Sequence, residues 1–588
     1  MYTLGINATF HDSSASLVKN GQLIAASEEE RFTGYKHGKR PIPFSTYELP
    51  FHAIAHCLQT AGITLSEVDH IAYAFDPELL MPGQEAAATI KIPFLNNGRA
   101  ENADQLWNNL FLSSVINAPD QLVDGYPHHL QQWFVGSKTD QWQWHFVDHH
   151  LAHAASAYLP SPYNDAAIMT LDGRGEIHTT TYNIGEFNDI IRHGAVAMPH
   201  SLGLLYEEIT THLGFLHSSD EYKVMALASY GKPTYLNTFR EMITLGDEGQ
   251  YTIDMDNFTE KFGSKRLRNE PFEAKHFNIA HSLQQALEET VLSLTDWLQQ
   301  ETKMQNLCIA GGVGLNCVLN SKIRDSKIFK NVWVQPAAGD SGTSLGAALW
   351  IDQQQLQHIG KSFVMDHVYW GPEYGEAEIE KFLKWAKVPY KRCEDLADET
   401  AELLADNKVV AWFQGRMEFG PRALGARSIL ASPISPEMQA RLNDIKDRED
   451  FRPVAPVVLE EDAADWFSGG ECPFMLFVQQ VLPHREEQIP AVRHVDGTAR
   501  VQTVNRSQNA AYYDLLKAFK RRTGVPVLVN TSFNTLGKPI VCTPRDAVAC
   551  FWTSPFDALV IGPFMLLKEK RHENISSYTY FQTFQAID

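Results

Sequence analysis

Cysteine is scarce and unpatterned in this sequence. Seven cysteines stand at 57, 308, 317, 393, 472, 542 and 550, with no CxxC pair among them. An odd, scattered set argues against a disulfide framework or a zinc knuckle and favours a reducing cytoplasm. Long apolar runs are missing too. The opening MYTLGINATFHDSS reaches Asp12 without the basic region and apolar stretch of a secretory leader. No later run approaches the ~18 apolar residues of a membrane span, so neither secretion nor a membrane partner is expected. Basic charge is in deficit, with 50 Lys plus Arg against 71 Asp plus Glu and a formal charge of −21. Such a chain is poorly suited to gripping a nucleic-acid backbone over a wide surface, although a local basic pocket is compatible with it. No low-complexity stretch is long enough for a disordered linker.

What is present is ordinary globular material. Hydrophobic residues make up 44% and charged residues 21% of 588 residues. At ~100–200 residues per domain the length implies two to four domains. Tyr2 to Asn7 alternates like a short strand, and Ala15 to Val18 and Gln22 to Ser27 flank Asn20-Gly21, a type I′ hairpin signal. The plan returns later. Ala166 to Leu171 is apolar, Asp172-Gly173-Arg174-Gly175 is a glycine loop, and Ile177 to Tyr182 can pair with Asp189 to His193 across Ile184-Gly185. Two strand–loop–hairpin units predict an internal duplication, with two equivalent loops facing one cleft. Helical patterns cover 47–61, 104–117 and 279–304, and Asp148 can cap a helix from His149 that stops at Pro160. Gln353-Gln354-Gln355 marks a domain edge. A second α/β pattern begins near 375, with helices near 376–387 and 395–406 and strands near 408–413 and 526–530.

His149 and His153 are i, i+4 and share one helix face, so both can reach one metal ion. Asp172 and Asp340 sit in strand-end glycine loops, where aspartates often face a cleft. Together the four suit iron(II), zinc or manganese with open positions. Ala310-Gly311-Gly312-Val313-Gly314-Leu315-Asn316 follows a strand, and its glycines let backbone amides approach a phosphate or nucleoside. His11, in the first loop, is placed to take a proton from a hydroxyl. Residues 414–452 hold seven Lys/Arg against six Asp/Glu, +1 within a −21 chain. Arginines fixed beside glycine turns suit a bidentate grip on a small phosphate.

These motifs, in order along nearly the whole chain, resemble the O-carbamoyltransferases of the nodulation-factor, cephamycin, tobramycin and geldanamycin pathways. The resemblance is carried by FHDSSASL, EEERF, HHLAHAASAY, SLGLLYEEIT, MALASYG, AGGVGLN, AAGDSGTSLGAA, QGRMEFGPRALGARSIL, FRPVAP, HVDGTARVQTV and NTSFNTLGKPIVCTP. It implies an α/β protein with two parts. Residues 1–360 would be an actin/sugar-kinase-like (ASKHA) duplicated domain, of the kind found in tRNA threonylcarbamoyl-transfer enzymes. Residues 361–588 would be a YrdC-like α/β domain that makes carbamoyl-adenylate.

The resemblance implies a carbamoyltransferase that uses ATP and carbamoyl phosphate and passes the carbamoyl group to a hydroxyl of a small natural product. By motif, His149, His153, Asp172 and Asp340 would hold a divalent metal, iron(II) in the transfer domain, with magnesium accompanying ATP. Gly311, Gly312 and Asn316 would hold adenosine. Arg416, Lys446, Arg452, Arg500, Asn530 and Ser532 would hold carbamoyl phosphate and the ATP phosphates. His11 and Lys36 would lie at the transfer site. The hydrogenase-maturation cousin carries an acylphosphatase domain and zinc-finger cysteines that are absent here, which disfavours a thiol acceptor. Tyr222 departs from the family pattern, which often has Gly before the Lys, and its ring is expected to narrow the acceptor cleft. Segments such as 76–130 would line that cleft. The alternatives are a small-molecule kinase of the same superfold and a nucleotide-binding protein without turnover.

Overall fold

The computed structural model describes residues 1–38, 48–80, 111–125, 132–356, 361–535 and 537–568. Its first hairpin follows the turn chemistry. β1 (Tyr2–Asn7) pairs antiparallel with β2 (Ser14–Lys19), which turns into β3 (Gln22–Glu28). Asn20 and Gly21 both have positive φ, +48° and +80°, as a type I′ turn requires. On its other side β1 pairs in parallel with β4 (His70–Tyr73), and β4 with β5 (Gln143–Phe146).

The second sheet repeats this plan. β6 (Asp165–Leu171) pairs antiparallel with β7 (His178–Glu186), and β7 with β8 (Asp189–Ala197). After a two-stranded ribbon of β9 (Ile243–Leu245) and β10 (Tyr251–Ile253), β11 (Asn306–Ala310) and β12 (Asn331–Val334) complete the sheet in parallel with β6. The orders β3-β2-β1-β4-β5 and β8-β7-β6-β11-β12 are equivalent, so the duplication and the actin/sugar-kinase-like architecture are present.

The second hairpin turns later than expected. β7 runs through Ile184-Gly185 to Glu186, and the turn falls at Phe187-Asn188, with Phe187 at φ +56°. Gly185 stays in the strand because the Tyr158 ring fills its side-chain space: a Cβ there would lie 2.7 Å from the ring.

Two helices lie back to back between the sheets. The helix His149–Tyr158 packs on β6, β7 and β11, and the helix Ser341–Leu356 packs on β1, β2 and β4. They touch where Gly346 has no side chain, since a Cβ there would stand 1.8 Å from the Ala152 carbonyl oxygen. Gln353 to Gln355, expected at a domain edge, are the last turn of this second helix. The expected boundary at 360/361 follows residues 357–360, which lie outside the described residues. The long helix spans Ala274–Thr302, and the helix expected over 47–61 spans Phe51–Ala61. Tyr47 and residues 104–110 fall outside the described residues, while 111–116 are helical. Much of the expected cleft-lining segment 76–130 also lies outside them.

The C-terminal part is a mixed eight-stranded sheet. Its strands are β13 (Lys391–Arg392), β14 (Val410–Phe413), β15 (Arg427–Ala431), β16 (Ala455–Leu459), β19 (Gln502–Val504), β20 (Val527–Ser532), β21 (Ala558–Ile561) and β22 (Phe564–Leu567). They run in the order β13-β22-β21-β14-β15-β20-β16-β19, and β17 (Val478–Gln480) with β18 (Thr498–Arg500) form a separate ribbon. Trp412, Tyr512, Phe519 and Phe551 fill the core between this sheet and its helices. Among the described residues no helix is long and apolar enough to cross a membrane.

Candidate active site

Two strand-end loops and one helix bring four ligands together. The Asp148 carboxylate caps the helix His149–Tyr158 by accepting the Leu151 N–H at 2.6 Å, which presents His149 and His153 on one face. Asp172 follows β6, and Asp340 precedes the helix Ser341–Leu356. His149 Nε2 lies 3.2 Å from Asp172 Oδ2 and 3.7 Å from Asp340 Oδ1. His153 Nε2 lies 3.4 and 3.6 Å from the same two atoms. These spacings suit the edges of a polyhedron around an ion bonded at about 2.0–2.2 Å. All four residues are buried. Among the described residues neither ring nitrogen of His153 has a partner in good hydrogen-bond geometry, which is costly in a dry site unless a metal takes one of them. Burial opposes charge on His149, but its hydrogen bond to Asp172 and the Asp340 charge outweigh it and hold the ring up at about 10. The donor set therefore calls for positive charge at its centre, and a divalent metal fits.

The glycine loop lies alongside. Gly311 has φ +93°, and a Cβ there would meet the Leu171 carbonyl oxygen at 2.2 Å, so only glycine lets this loop cross the end of β6. Gly312 N–H donates to Asp172 Oδ1 at 2.8 Å. The Asn316 side chain accepts the Leu319 N–H at 3.0 Å, capping the next helix, and donates to Gln284 Oε1 at 2.8 Å.

The first loop makes a second cluster. His11 Nδ1 meets Asp12 Oδ2 at 2.8 Å, His37 Nδ1 meets Asp12 Oδ1 at 2.9 Å, and the two imidazole centroids are 4.2 Å apart. His11 Nε2 faces the Ser218 carbonyl. Burial works to raise the Asp12 carboxyl, but the charges of His11 and His37 hold it well below the usual range. Lys36 Nζ donates to Ser219 Oγ at 3.3 Å.

The C-terminal part supplies the basic pocket. Arg422, Arg448, Arg452 and Arg500 face one cavity, and among the described residues Arg422 Nε, Arg448 Nη2 and Arg500 Nε have no hydrogen-bond partner. Burial and then the charge of Arg500 lower Arg422 to about 9, and burial, Arg452 and Arg500 lower Arg448 to about 9. Glu449 is 3.5 Å from Arg452. Lys446 is buried and donates to Asn534 Oδ1 at 2.6 Å, to Ser532 Oγ at 3.2 Å and to two carbonyls. Asn530 donates to Ala423 and Gln502, and its own Oδ1 is buried without a partner.

The two regions open on one cavity of about 1650 Å³, lined by residues of both halves of the chain. His11, Lys36, Asp172, Gly312, Asn316, Asp340, Lys446, Arg452, Arg500, Asn530 and Ser532 all border it, whereas Gly311, His149 and His153 do not line it. Arg416 does not border it. Its guanidinium donates to the Trp370, Ile24 and Gly371 carbonyls at 2.7, 3.1 and 3.4 Å, tying the second half of the chain to β3. Arg416 is thus a structural tie, and Arg422 of the same motif is the arginine that reaches the cavity.

The carbamoyltransferase N-terminal family model matches residues 2–349, and the C-terminal one matches residues 401–568. The chain belongs to the carbamoyltransferase family. It is similar to nodulation protein NolNO of Sinorhizobium fredii, 39% identical over 96% of this chain and 80% of that protein. It is 43% identical to nodulation protein U of Rhizobium fredii, over 93% of this chain and 92% of that one. A protein of Synechocystis sp. is 38% identical over 99% of both chains. This carbamoyltransferase is accordingly an enzyme of carbamoyl transfer.

Four residues of its cavity escape a motif-based assignment: Asp12, His37, Arg422 and Arg448. Each carries a legible signal. Asp12 and His37 stand beside His11 and Lys36, and Arg448 lies between Lys446 and Arg452. Arg422 sits between Gly420 and Gly425, both at positive φ, +113° and +108°. The Glu418 carboxylate fixes that turn by accepting the Leu424 and Ala426 N–H groups at 2.7 Å each.

Proposed function

We propose that this enzyme is an O-carbamoyltransferase working in two steps, with residues 361–588 forming carbamoyl-adenylate and residues 1–360 transferring its carbamoyl group. The observation that carries this reading is the pairing of unlike pockets on one cavity. Four guanidiniums with almost no carboxylate to balance them call for a polyanion. The His/Asp set calls for a metal, and the His11 loop offers a proton acceptor. Carbamoyl phosphate would be cleaved by water to carbamate and inorganic phosphate among Arg422, Arg448, Arg452, Arg500 and Lys446. A carbamate oxygen then attacks the ATP α-phosphate, giving carbamoyl-adenylate and pyrophosphate. Each preorganised donor contributes a few kcal/mol to that transition state.

The adenylate is a mixed anhydride that water destroys, and a shared cavity spares it passage through bulk solvent. Gly312 and Asn316 border the place where its adenosine would sit. His149, His153, Asp172 and Asp340 would hold a divalent metal, with iron(II) suited to this donor set, and magnesium would accompany ATP. When bound, the metal supplies Lewis-acid polarisation of the phosphate or carbamoyl oxygens. In its neutral form, with Nδ1–H turned to Asp12, His11 takes the acceptor hydroxyl proton at Nε2 once the hydroxyl replaces the Ser218 carbonyl, and Asp12 stabilises the imidazolium that forms. The acceptor oxygen bonds to the carbamoyl carbon, AMP leaves, and Lys36 stands near to offset its charge. The acceptor is a small hydroxylated molecule.

The test is product analysis with ATP, carbamoyl phosphate and iron(II) or magnesium, without acceptor. Carbamoyl-phosphate-dependent pyrophosphate and AMP support the route. ADP, or no nucleotide turnover, overturns it in favour of a kinase or a binding protein.

A further inference from the structure

Arg452 does not stand alone in the basic pocket; the N-terminal half holds it. The helix Glu221–Ala228 reaches across the cavity and presents Tyr222 and Lys223 in its first turn. The Arg452 guanidinium lies over the Tyr222 ring, 4.8 Å from its centroid. Lys223 Nζ pairs with Glu449 Oε1 at 2.9 Å, and Glu449 Oε2 lies 3.5 Å from Arg452 Nη1. The four side chains close a loop in which adjacent residues of one half grip two residues, three apart, of the other. Tyr230 Oη adds a hydrogen bond to the Phe451 carbonyl at 3.3 Å. The same ring also faces the transfer region, with Lys36 Nζ 5.6 Å from its centroid.

A guanidinium held over an aromatic ring still has in-plane N–H groups to give to other partners. One edge of Arg452 meets Glu449, and its remaining N–H groups join those of Arg422, Arg448 and Arg500 at the cavity. We propose that the anion pocket is composite: Tyr222, braced by Lys223, is a positioning residue contributed by the N-terminal half that aims Arg452 at carbamoyl phosphate. The ligand named here rests on the two-step reading above, whereas the anion pocket itself does not. This role is separate from the narrowing of an acceptor cleft expected of Tyr222 from the sequence. It ties phosphate binding in one half to the helix that borders Lys36 in the other.

The experiment uses the full chain and two probes, inorganic phosphate by calorimetry and carbamoyl phosphate in pyrophosphate release. Tyr222→Phe keeps the ring and should bind phosphate as the wild type does. Tyr222→Leu removes the π face. It should weaken phosphate about 3- to 10-fold and raise the carbamoyl phosphate KM by the same factor, with kcat changed less than about two-fold. In an Arg452→Met background, Tyr222→Leu should have no further effect. This separates loss of aiming from general damage to the fold. Wild-type phosphate affinity in Tyr222→Leu overturns the proposal, as does equal loss in Tyr222→Phe. If the wild type binds phosphate but makes no carbamoyl-phosphate-dependent AMP, the two-step reading fails while the calorimetric comparison still decides this inference.

Discussion

Replacing Arg448 by methionine should make the empty protein more stable while crippling it. Burial and the charges of Arg452 and Arg500 lower Arg448 from the usual guanidinium range to about 9. At 1.36 kcal/mol per pH unit, that is roughly 4–5 kcal/mol of strain in a dry site, and water around a partly exposed side chain reduces it to about 2 kcal/mol. The folded value lies below the unfolded one, so the charged form is penalised in the native state. The penalty is present in full at pH 7 and fades only as pH rises through about 9. Methionine removes the charge but also the 2.6 Å hydrogen bond to Asn443, which returns about 1 kcal/mol. The net gain of about 1 kcal/mol raises the melting temperature by roughly 2–4 °C for a unit of some 200 residues. Inorganic phosphate should raise the wild-type melting temperature and shift the variant's much less at the same concentration. In pyrophosphate release the carbamoyl phosphate KM should rise at least about 10-fold, the worth of one charge-assisted hydrogen-bonding partner. Paired melts with and without phosphate, plus steady-state kinetics, read all three. A variant that melts below the wild type without phosphate, or keeps the phosphate shift, refutes the reasoning.

Arg416→Met provides the opposite case. It loses three carbonyl partners outside the cavity, so melting should fall by a few degrees while the carbamoyl phosphate KM stays within about two-fold. His153→Ala and Asp340→Asn should each lose bound metal by elemental analysis of purified protein, with near-wild-type circular dichroism; full retention of metal in both would remove them as ligands. Asp12→Asn replaces a carboxylate that receives two imidazoles. Asp12 is ionised from well below its usual pKa upward, so its charge is constant over the assay range and favours protonated His11. The acid limb of carbamoyl transfer should therefore move down by about one unit, and an unmoved limb would show that His11 does not set it.

The parts of the fold legible in the sequence are those with local chemistry. Asn20-Gly21 dictates its own hairpin, Asp148 caps its own helix, and both outcomes are present as expected. Ile184-Gly185 looks like a turn by the same logic and is not one, because the competing term is the Tyr158 ring, 27 residues before Gly185 in the chain and against the strand. The same division runs through the site. The i, i+4 histidines and the strand-end aspartates are short-range patterns, and the structure brings them together. Choosing among arginines is not a short-range problem. Arg416, Arg422 and Arg427 share one glycine-rich stretch, yet Arg416 ties to β3, Arg427 is buried over the Phe413 ring at 3.6 Å, and Arg422 alone meets the cavity. Tertiary packing makes that choice.

The shared cavity also has a pharmacological consequence. The arginine cluster and the two aspartates of the His/Asp set border a single continuous volume, so their ligands need not be separate molecules. A compound joining an anionic head to a metal-binding tail by a linker of fitting length would engage both pockets at once. Its second contact would be intramolecular, at an effective concentration in the millimolar range for a short flexible linker. Two weak fragments, each unremarkable alone, would thereby combine into one tight inhibitor.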